Sequence, residues 1–212
     1  MNFSTDRDLL AIEPAVFEDV PFAAQKRLQV PDASVSGTTV TSAGADFVAA
    51  QVDAGSVVLI AGLAFEVLSR TDANTIEVSL PRTRNTDPGI PGGDGTGLEL
   101  IARTFAPQAE LVHDSLLRLI GIDPEDAEAE LTQSSILSVA LMARIEALGT
   151  LELVYAGAAS LLGDNDTLLM KAGEYRRRFR QACAGAVVSL DTDGDGLADQ
   201  RLPLGTTRFT RA

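Results

Sequence analysis

Residues 57–80 read Val57-Val-Leu-Ile-Ala-Gly-Leu-Ala-Phe-Glu-Val-Leu-Ser-Arg-Thr-Asp-Ala-Asn-Thr-Ile-Glu-Val-Ser-Leu80, and their pattern predicts the architecture of the first half of the chain. It contains three runs of β-branched and apolar residues separated by turn residues: 57–60, 65–68 and 75–80. Such runs predict strands joined by hairpins. With a similar run at 38–42, their spacing predicts a small β-barrel or β-sandwich over residues 29–104. The glycine-rich segment 88–97 is predicted as a flexible loop.

The next region of the chain has the periodicity of helices. A first helix is predicted from Pro107 to Gly121, with this apolar face: Leu111, Leu116, Leu119 and Ile120. One long apolar helix covers about 131–162, or two helices join near Gly149. The last helix is predicted over 167–184, after Asp166 as its cap and Gly163 as the preceding C-terminal cap. Its predicted buried stripe is Leu168, Ala172, Tyr175, Phe179 and Cys183.

The two ends of the chain have a different character. Residues 1–28 predict an N-terminal arm, in which Asp6 or Asp8 caps a helical turn that Pro14 ends. This arm is too short to fold alone, so it is expected to lie against the rest of the chain or a neighbour. Residues 186–212 predict a C-terminal hairpin tail. The predicted class is α+β, in this order: the arm, the barrel or sandwich domain (29–104), a helical domain (105–185) and the hairpin tail.

The composition narrows the function classes. Thirty acidic residues against 17 basic ones give a net charge of −13, which argues against a nucleic-acid binder and suits a surface that DNA passes without sticking. The single cysteine, Cys183, excludes an internal disulfide and a cysteine-based zinc site. The apolar region 136–162 is broken by Arg144, Glu146 and Glu152, which favours a buried helix over a membrane span. No signal peptide is visible, so we expect folding in the cytoplasm.

The segment 191–199, Asp-Thr-Asp-Gly-Asp-Gly-Leu-Ala-Asp, has the ligand spacing of a calcium loop. Its carboxylates repeat that spacing, and a glycine lies where such loops turn: Asp191, Asp193, Asp195, Asp199 and Gly196. The match breaks at the twelfth position, which is Leu202 instead of a bidentate glutamate, and at Pro203. The flanking residues favour two short strands joined by a turn rich in Asp and Gly. Calcium binding is the alternative that the residues leave open.

Two sets of opposite charge occur in the helical region: Arg176, Arg177, Arg178 and Arg180 in the last helix, and Asp123, Glu125, Asp126, Glu128 and Glu130 before the long helix. The simplest interpretation is that these arginines form a solvent-exposed face of the last helix. Pairing with the acidic set within one subunit would contribute little to stability. Pairing between subunits would fix register and orientation.

No catalytic constellation is evident in the sequence. A lone helical histidine, His113, is expected to be structural, and no nucleophile elbow, phosphate-binding loop or dinucleotide fingerprint is present. Glu66, Glu77 and Glu99 fall at alternate strand positions, where solvent-facing charge is expected. We therefore expect a protein that is not an enzyme and has no cofactor, calcium aside.

Three segments together resemble a neck protein of a tailed bacteriophage, of the head-to-tail connector (adaptor) family. They are the opening Asp8-Leu-Leu-Ala-Ile-Glu-Pro14 with Val16-Phe17, the β region from Ala45-Asp-Phe-Val to Asn74-Thr-Ile-Glu-Val78, and the run Asn165-Asp-Thr-Leu-Leu-Met-Lys-Ala-Gly-Glu-Tyr-Arg-Arg-Arg-Phe179. The likeness covers most of the chain. It departs from the family in one respect: adaptors are often compact helical bundles, whereas a β unit here precedes the helices.

The resemblance implies a structural virion protein assembled in the host cytoplasm. It implies a homo-oligomeric ring of about twelve subunits between portal protein and tail, with DNA passing through and the tail of each chain reaching a neighbour or the portal. It carries over no catalytic residue. Two alternatives stay open: a tail-terminator or tail-completion ring, and, from another class, a calcium-binding adhesion module.

Overall fold

The architecture comes from a computed structural model, which describes residues 2–126, 129, 131–161 and 166–205. The chain forms two compact units. The barrel unit consists of Thr5–Ala106, and the helical unit combines residues 2–4 with residues 107–205. The predicted α+β class is confirmed: a barrel precedes the helices, and a two-stranded hairpin follows them.

Six antiparallel strands close the barrel in the order β1-β2-β5-β4-β3-β6. They are β1 (Lys26–Ser36), β2 (Thr39–Thr41), β3 (Val57–Ile60), β4 (Leu63–Arg70), β5 (Thr75–Ser79) and β6 (Gly95–Arg103). The strand spacing alone allows a barrel or a sandwich. The structure decides for the barrel, because β6 pairs with both β1 and β3 and leaves no open edge.

The barrel interior is filled by aliphatic side chains and two phenylalanines, because alternate residues of each strand point inward. Its buried members include, from the strands, Phe65, Val35, Val40, Val58, Ile60, Val67, Ile76, Val78 and Leu100, and Phe47 joins them from the segment between β2 and β3. The turn between β3 and β4 places Ala61 and Gly62 at φ of 48° and 85°. Two successive left-handed residues match the right-handed twist of a two-residue hairpin, as the sequence indicates for this position.

The sequence pattern does not predict β1 or β6. Pro31 interrupts the alternation of β1, and β6 begins at Gly95, inside the segment predicted as a loop. The pairing of β1 with β6 is irregular, with register shifts between Val30 and Ala33 and between Ala33 and Val35. Both strands form because barrel closure supplies hydrogen-bond partners on their two sides, which local propensity cannot report.

The N-terminal arm lies against the rest of the chain, as expected. Helix α1 (Asp6–Ile12) and helix α2 (Val16–Asp19) belong to the barrel unit, and Leu9, Leu10, Val16 and Phe17 are buried there. The predicted cap was wrong in detail. Thr5 is the N-cap residue, and the Asp8 carboxylate accepts its backbone N–H at 2.8 Å from within the first turn.

The helical unit contains α3 (Ala106–Leu119), α4 (Val139–Leu161), α5 (Asp166–Gly185) and a hairpin of β7 (Val187–Leu190) and β8 (Gln200–Pro203). Of the two alternatives for the apolar region, the structure has one unbroken helix, α4. Gly149 is a packing position in that helix, because a Cβ there would lie 2.8 Å from Val112 and 3.0 Å from the Phe179 ring. A helix that is apolar on most sides is buried on most sides, as α4 is.

The predicted apolar face of α3 is partly wrong. Leu116 and Ile120 are buried, whereas 64% of Leu111 and 57% of Leu119 are exposed. On the buried side lie Val112, His113 and Leu117 instead. As predicted, α3 ends before Gly121, which has φ of 84°. The spacing of the leucines predicts the wrong face of α3, because the stripe that is buried in the structure includes His113.

The predicted stripe on α5 matches the structure. Leu168, Ala172 and Tyr175 are buried, while Phe179 and Cys183 are partly buried against the core of the helical unit. Gly163, Glu128, Glu130 and residues 206–212 of the predicted tail lie outside the described residues. The helices formed by the described residues include none with both the length and the apolar character to span a lipid bilayer.

Candidate functional site

The acidic segment Asp191–Asp199 is the loop of the β7–β8 hairpin, and we call it the acidic loop. One carboxylate organises it: Asp191 accepts the backbone N–H groups of Gly194 at 2.7 Å and Gly196 at 2.8 Å. These N–H groups, Gly196 first, hold the pKa of Asp191 below its usual range. The hairpin interpretation is confirmed, since β7 and β8 pair in antiparallel register on either side of the loop.

Three of the four candidate metal ligands come together. Carboxylate oxygens of Asp191, Asp193 and Asp195 lie within 4.8 Å of one another. The Asp199 carboxylate instead binds the backbone N–H and hydroxyl of Thr192, at 2.7 and 2.9 Å. Leu202, at the twelfth position, is buried in the core from β8. Since calcium takes about six to eight oxygens, these residues fit a partial site, and calcium binding stays a prediction.

The candidate interface arginines extend along the exposed side of α5. Arg176 pairs with Glu152 at 2.7 Å and Arg177 with Glu174 at 2.8 Å. The Arg178 guanidinium lies over the Tyr175 ring, 5.1 Å from its centroid.

Among the residues that the structure describes, the ion pairs of Arg176 and Arg177 are thus made within α4 and α5. Within the acidic set before α4, Glu125 pairs with Arg118 of α3 at 3.0 Å, and the Asp123 carboxylate accepts the N–H of Glu125. Arg180 forms no ion pair with any residue that the structure describes. Pairing between subunits stays a prediction.

A buried polar cluster around Glu146 is the feature that sequence reasoning missed. Glu146 has no exposed surface, and its carboxylate accepts hydrogen bonds from the Ser4 N–H at 2.8 Å and the Ser4 hydroxyl at 2.7 Å. The Phe3 N–H lies 3.2 Å and His113 Nδ1 2.8 Å from its other oxygen. The Phe3 ring also packs on the histidine ring, with centroids 4.5 Å apart.

In this cluster the lone histidine, His113, has a structural role within the helical unit. A buried carboxylate is stable only when paired and hydrogen-bonded, and here residues 2–4 supply most of the donors. Glu146 therefore fixes the first residues of the chain to α3 and α4. Its position inside an otherwise apolar helix was the signal in the sequence, because such a charge needs a partner.

A second buried carboxylate corrects an expectation about the barrel. Glu66 is 1% exposed instead of facing solvent, and it binds Arg7 at 2.5 Å and Arg82 at 2.7 Å. Burial alone would raise the pKa of Glu66, but the hydrogen bonds from Arg82 and Arg7 outweigh it and lower that pKa. Glu77 is half-buried and accepts hydrogen bonds from two threonines, while Glu99 is exposed as expected.

Cys183 lies half-buried on α5, as a small, largely apolar residue. Burial raises the pKa of its thiol to about 11. A thiol with so high a pKa is almost entirely protonated at neutral pH and is a poor nucleophile.

Comparisons with protein-family models, with curated proteins and with solved structures find no match to this chain.

Proposed function

We propose that this chain is a structural subunit of the neck of a tailed bacteriophage, a head-to-tail connector (adaptor) that forms a ring between portal and tail. The three sequence segments quoted above support this proposal. The β-barrel that precedes the helical unit is the one departure from the compact helical bundle that is common among adaptors.

The observation that carries the proposal is the apolar surface of the helical unit. Large apolar side chains are exposed there at many positions of the described chain: Leu111, Leu119, Leu137, Val139, Leu153, Leu161, Leu169, Met170, Val187 and Leu197. In the barrel unit, the exposed large apolar side chains of the described residues are Val48, Leu63 and Ile90. Exposed apolar side chains that form a contiguous patch are typical of a protein that assembles with others.

The charge of the chain fits the proposed position around DNA. A net charge of −13 is repeated in every subunit of a ring, so the ring as a whole repels the phosphate backbone. DNA would then move through the channel without being held. We expect no retardation of duplex DNA by the protein at physiological salt, and a salt-sensitive complex with DNA would contradict this part of the proposal.

The experiment is a measurement of oligomer mass and an electron-microscopy image, for the protein alone and with the portal protein of the same genome. We expect a ring of about twelve subunits that binds the portal. A ring that binds a tail tube but not the portal would support the tail-terminator alternative. A protein that stays monomeric in both samples and binds calcium tightly would contradict the proposal and favour the adhesion module.

A further inference from the structure

A groove of about 660 Å³ lies on the helical unit, between the end of α3, the second half of α5 and the end of β8. Its apolar lining includes Leu119, Phe179, Cys183 and Leu204. Leu119 is largely exposed although it is a large aliphatic residue, so part of the lining is open to solvent. A groove of this size is large enough for one or two side chains of a partner.

The groove also carries positive charge in a strongly acidic protein. Arg118 and Arg180 both line it and both are exposed. Arg118 forms an exposed pair with Glu125. Arg180 has no carboxylate partner in the part of the chain that the structure describes. An apolar groove with two such cations fits a segment that combines an apolar side chain with several carboxylates.

The acidic loop has this chemistry. Within nine residues it carries four aspartates and no basic residue, and it presents Leu197 with 67% of its surface exposed. The loop is held in shape by its own bonds, including the Leu197 N–H to the Asp195 carboxylate at 2.7 Å. A segment that is already ordered loses little conformational entropy when it binds.

The loop cannot reach the groove of its own subunit. β8 runs from Gln200, next to the loop, to Pro203, which lines the groove. Four residues of strand span roughly 13 Å, so the loop and the groove lie at opposite ends of the hairpin. Only a second copy can bring the two surfaces together.

We propose that the acidic loop of one subunit docks into this groove of the next subunit, with Leu197 against Leu119 and Phe179. Its aspartates then face Arg118 and Arg180. Because the two surfaces differ, the contact is heterologous, and repetition of such a contact produces a closed ring when the rotation closes. The inference rests on the proposed function, for which it supplies the contact between neighbouring ring subunits.

The test uses the natural Cys183 in the groove. The variant Leu197→Cys places a thiol on the loop, and oxidation with copper-phenanthroline then links the loop of one copy to the groove of the next. We expect a ladder of linked dimers, trimers and larger species on non-reducing gels. Thiols held together in an interface react at a high effective concentration, so we expect about tenfold more product than for an exposed control position.

Two controls isolate the contact. Leu169→Cys introduces a thiol at a similarly exposed leucine of α5, and it should give only background linkage. Leu197→Cys combined with Cys183→Ala should lose the ladder. A ladder absent from Leu197→Cys, or a product that stops at dimers, would overturn the docking proposal.

A mixing experiment adds a second signature. The double variant Arg118→Glu with Arg180→Glu has an intact loop, and the double variant Asp193→Lys with Asp195→Lys has an intact groove. We expect neither to assemble alone, because each variant brings like charges together at the contact. Their mixture should assemble again into alternating oligomers, because the native loop then meets the native groove at one contact and the charge-reversed loop meets the charge-reversed groove at the next. Assembly of either variant alone would overturn the contact.

The mass of the wild-type oligomer separates the two proposals. A wild-type ring without a ladder would overturn the docking contact and leave the proposed function intact. A wild-type monomer without a ladder would contradict both.

Discussion

Glu146→Gln is the substitution that tests most directly whether the buried polar cluster stabilises the helical unit. Glutamine has the shape of glutamate, so packing around α4 is kept while the charge and one acceptor are lost. One side-chain oxygen can still accept the two Ser4 bonds. The other becomes an NH₂ group, which faces the N–H of Phe3 and can no longer accept it.

The magnitude follows from the bonds that change. Hydrogen bonds to a charged group contribute about 1.5–3 kcal/mol and neutral ones about 0.5–1.5 kcal/mol, and an unsatisfied buried donor costs about 1–3 kcal/mol. With the Ser4 and His113 bonds weakened and the Phe3 N–H unpaired, we expect a loss of about 2–4 kcal/mol in the free energy of unfolding. Urea unfolding followed by helical circular dichroism measures it.

Glu152→Gln is the matched control on the same helix. Glu152 pairs with Arg176, more than half of whose side chain is exposed, and such pairs contribute about 0–1 kcal/mol. Ser4→Ala should be destabilising alone and add less than its full cost in the Glu146→Gln background, since the hydroxyl bond that it removes then goes to a neutral amide oxygen instead of a carboxylate. If Glu146→Gln costs no more than Glu152→Gln, the buried cluster does not anchor the N-terminal residues and the argument fails.

Three further predictions concern a titrating group, helix packing and the acidic loop. Burial raises the pKa of Asp6 from 3.8 to about 6. Between pH 3.8 and about pH 6 the folded protein therefore binds more protons than the unfolded chain. The free energy of unfolding is expected to fall as the pH rises through this range. Asp6→Asn should remove this fall, as urea unfolding at several pH values will show; an unchanged slope would contradict it. Gly149→Ala should cost about 1–3 kcal/mol of stability by overpacking. Gly173→Ala, at a position with open space around it, should instead stabilise α5 by up to about 1 kcal/mol. Thermal unfolding compares the two variants, and equal shifts in melting temperature would count against the packing argument. Calcium should bind the acidic loop only at roughly millimolar concentration, and calorimetric titration should show that Asp193→Asn abolishes it; tight binding, or binding that survives, would place the ion elsewhere.

The local sequence pattern predicts an element correctly where residues close together in the chain determine that element. The strands at 57–60 and 75–79 and the hairpin after α5 follow from β-branched runs between turn residues, and the stripe on α5 follows from residues three and four apart. The approach of three aspartates in the acidic loop also follows from their spacing. In each case the partners are neighbours in sequence, so the sequence contains the information.

The expectations that needed correction depend on distant partners. Glu66 lies at a strand position where alternation predicts a solvent-facing side chain. It is buried instead, because Arg7 and Arg82 from other parts of the barrel unit pair with it. Strand β6 forms from a glycine-rich start because β1 and β3 flank it. Leu119 has the spacing of a core residue and is exposed in the groove.

Local sequence specifies the α+β class of the fold, the order of its parts, the acidic composition and the character of the loop at 191–199. Those properties depend on composition and on residues close together in the chain. Only the tertiary structure decided that the barrel closes, that Glu146 holds the first residues of the chain, and that an apolar groove with Arg118 and Arg180 lies at the far end of the hairpin from the acidic loop. Each of these depends on which distant segments meet, and that is set by packing of the whole unit and not by local preference.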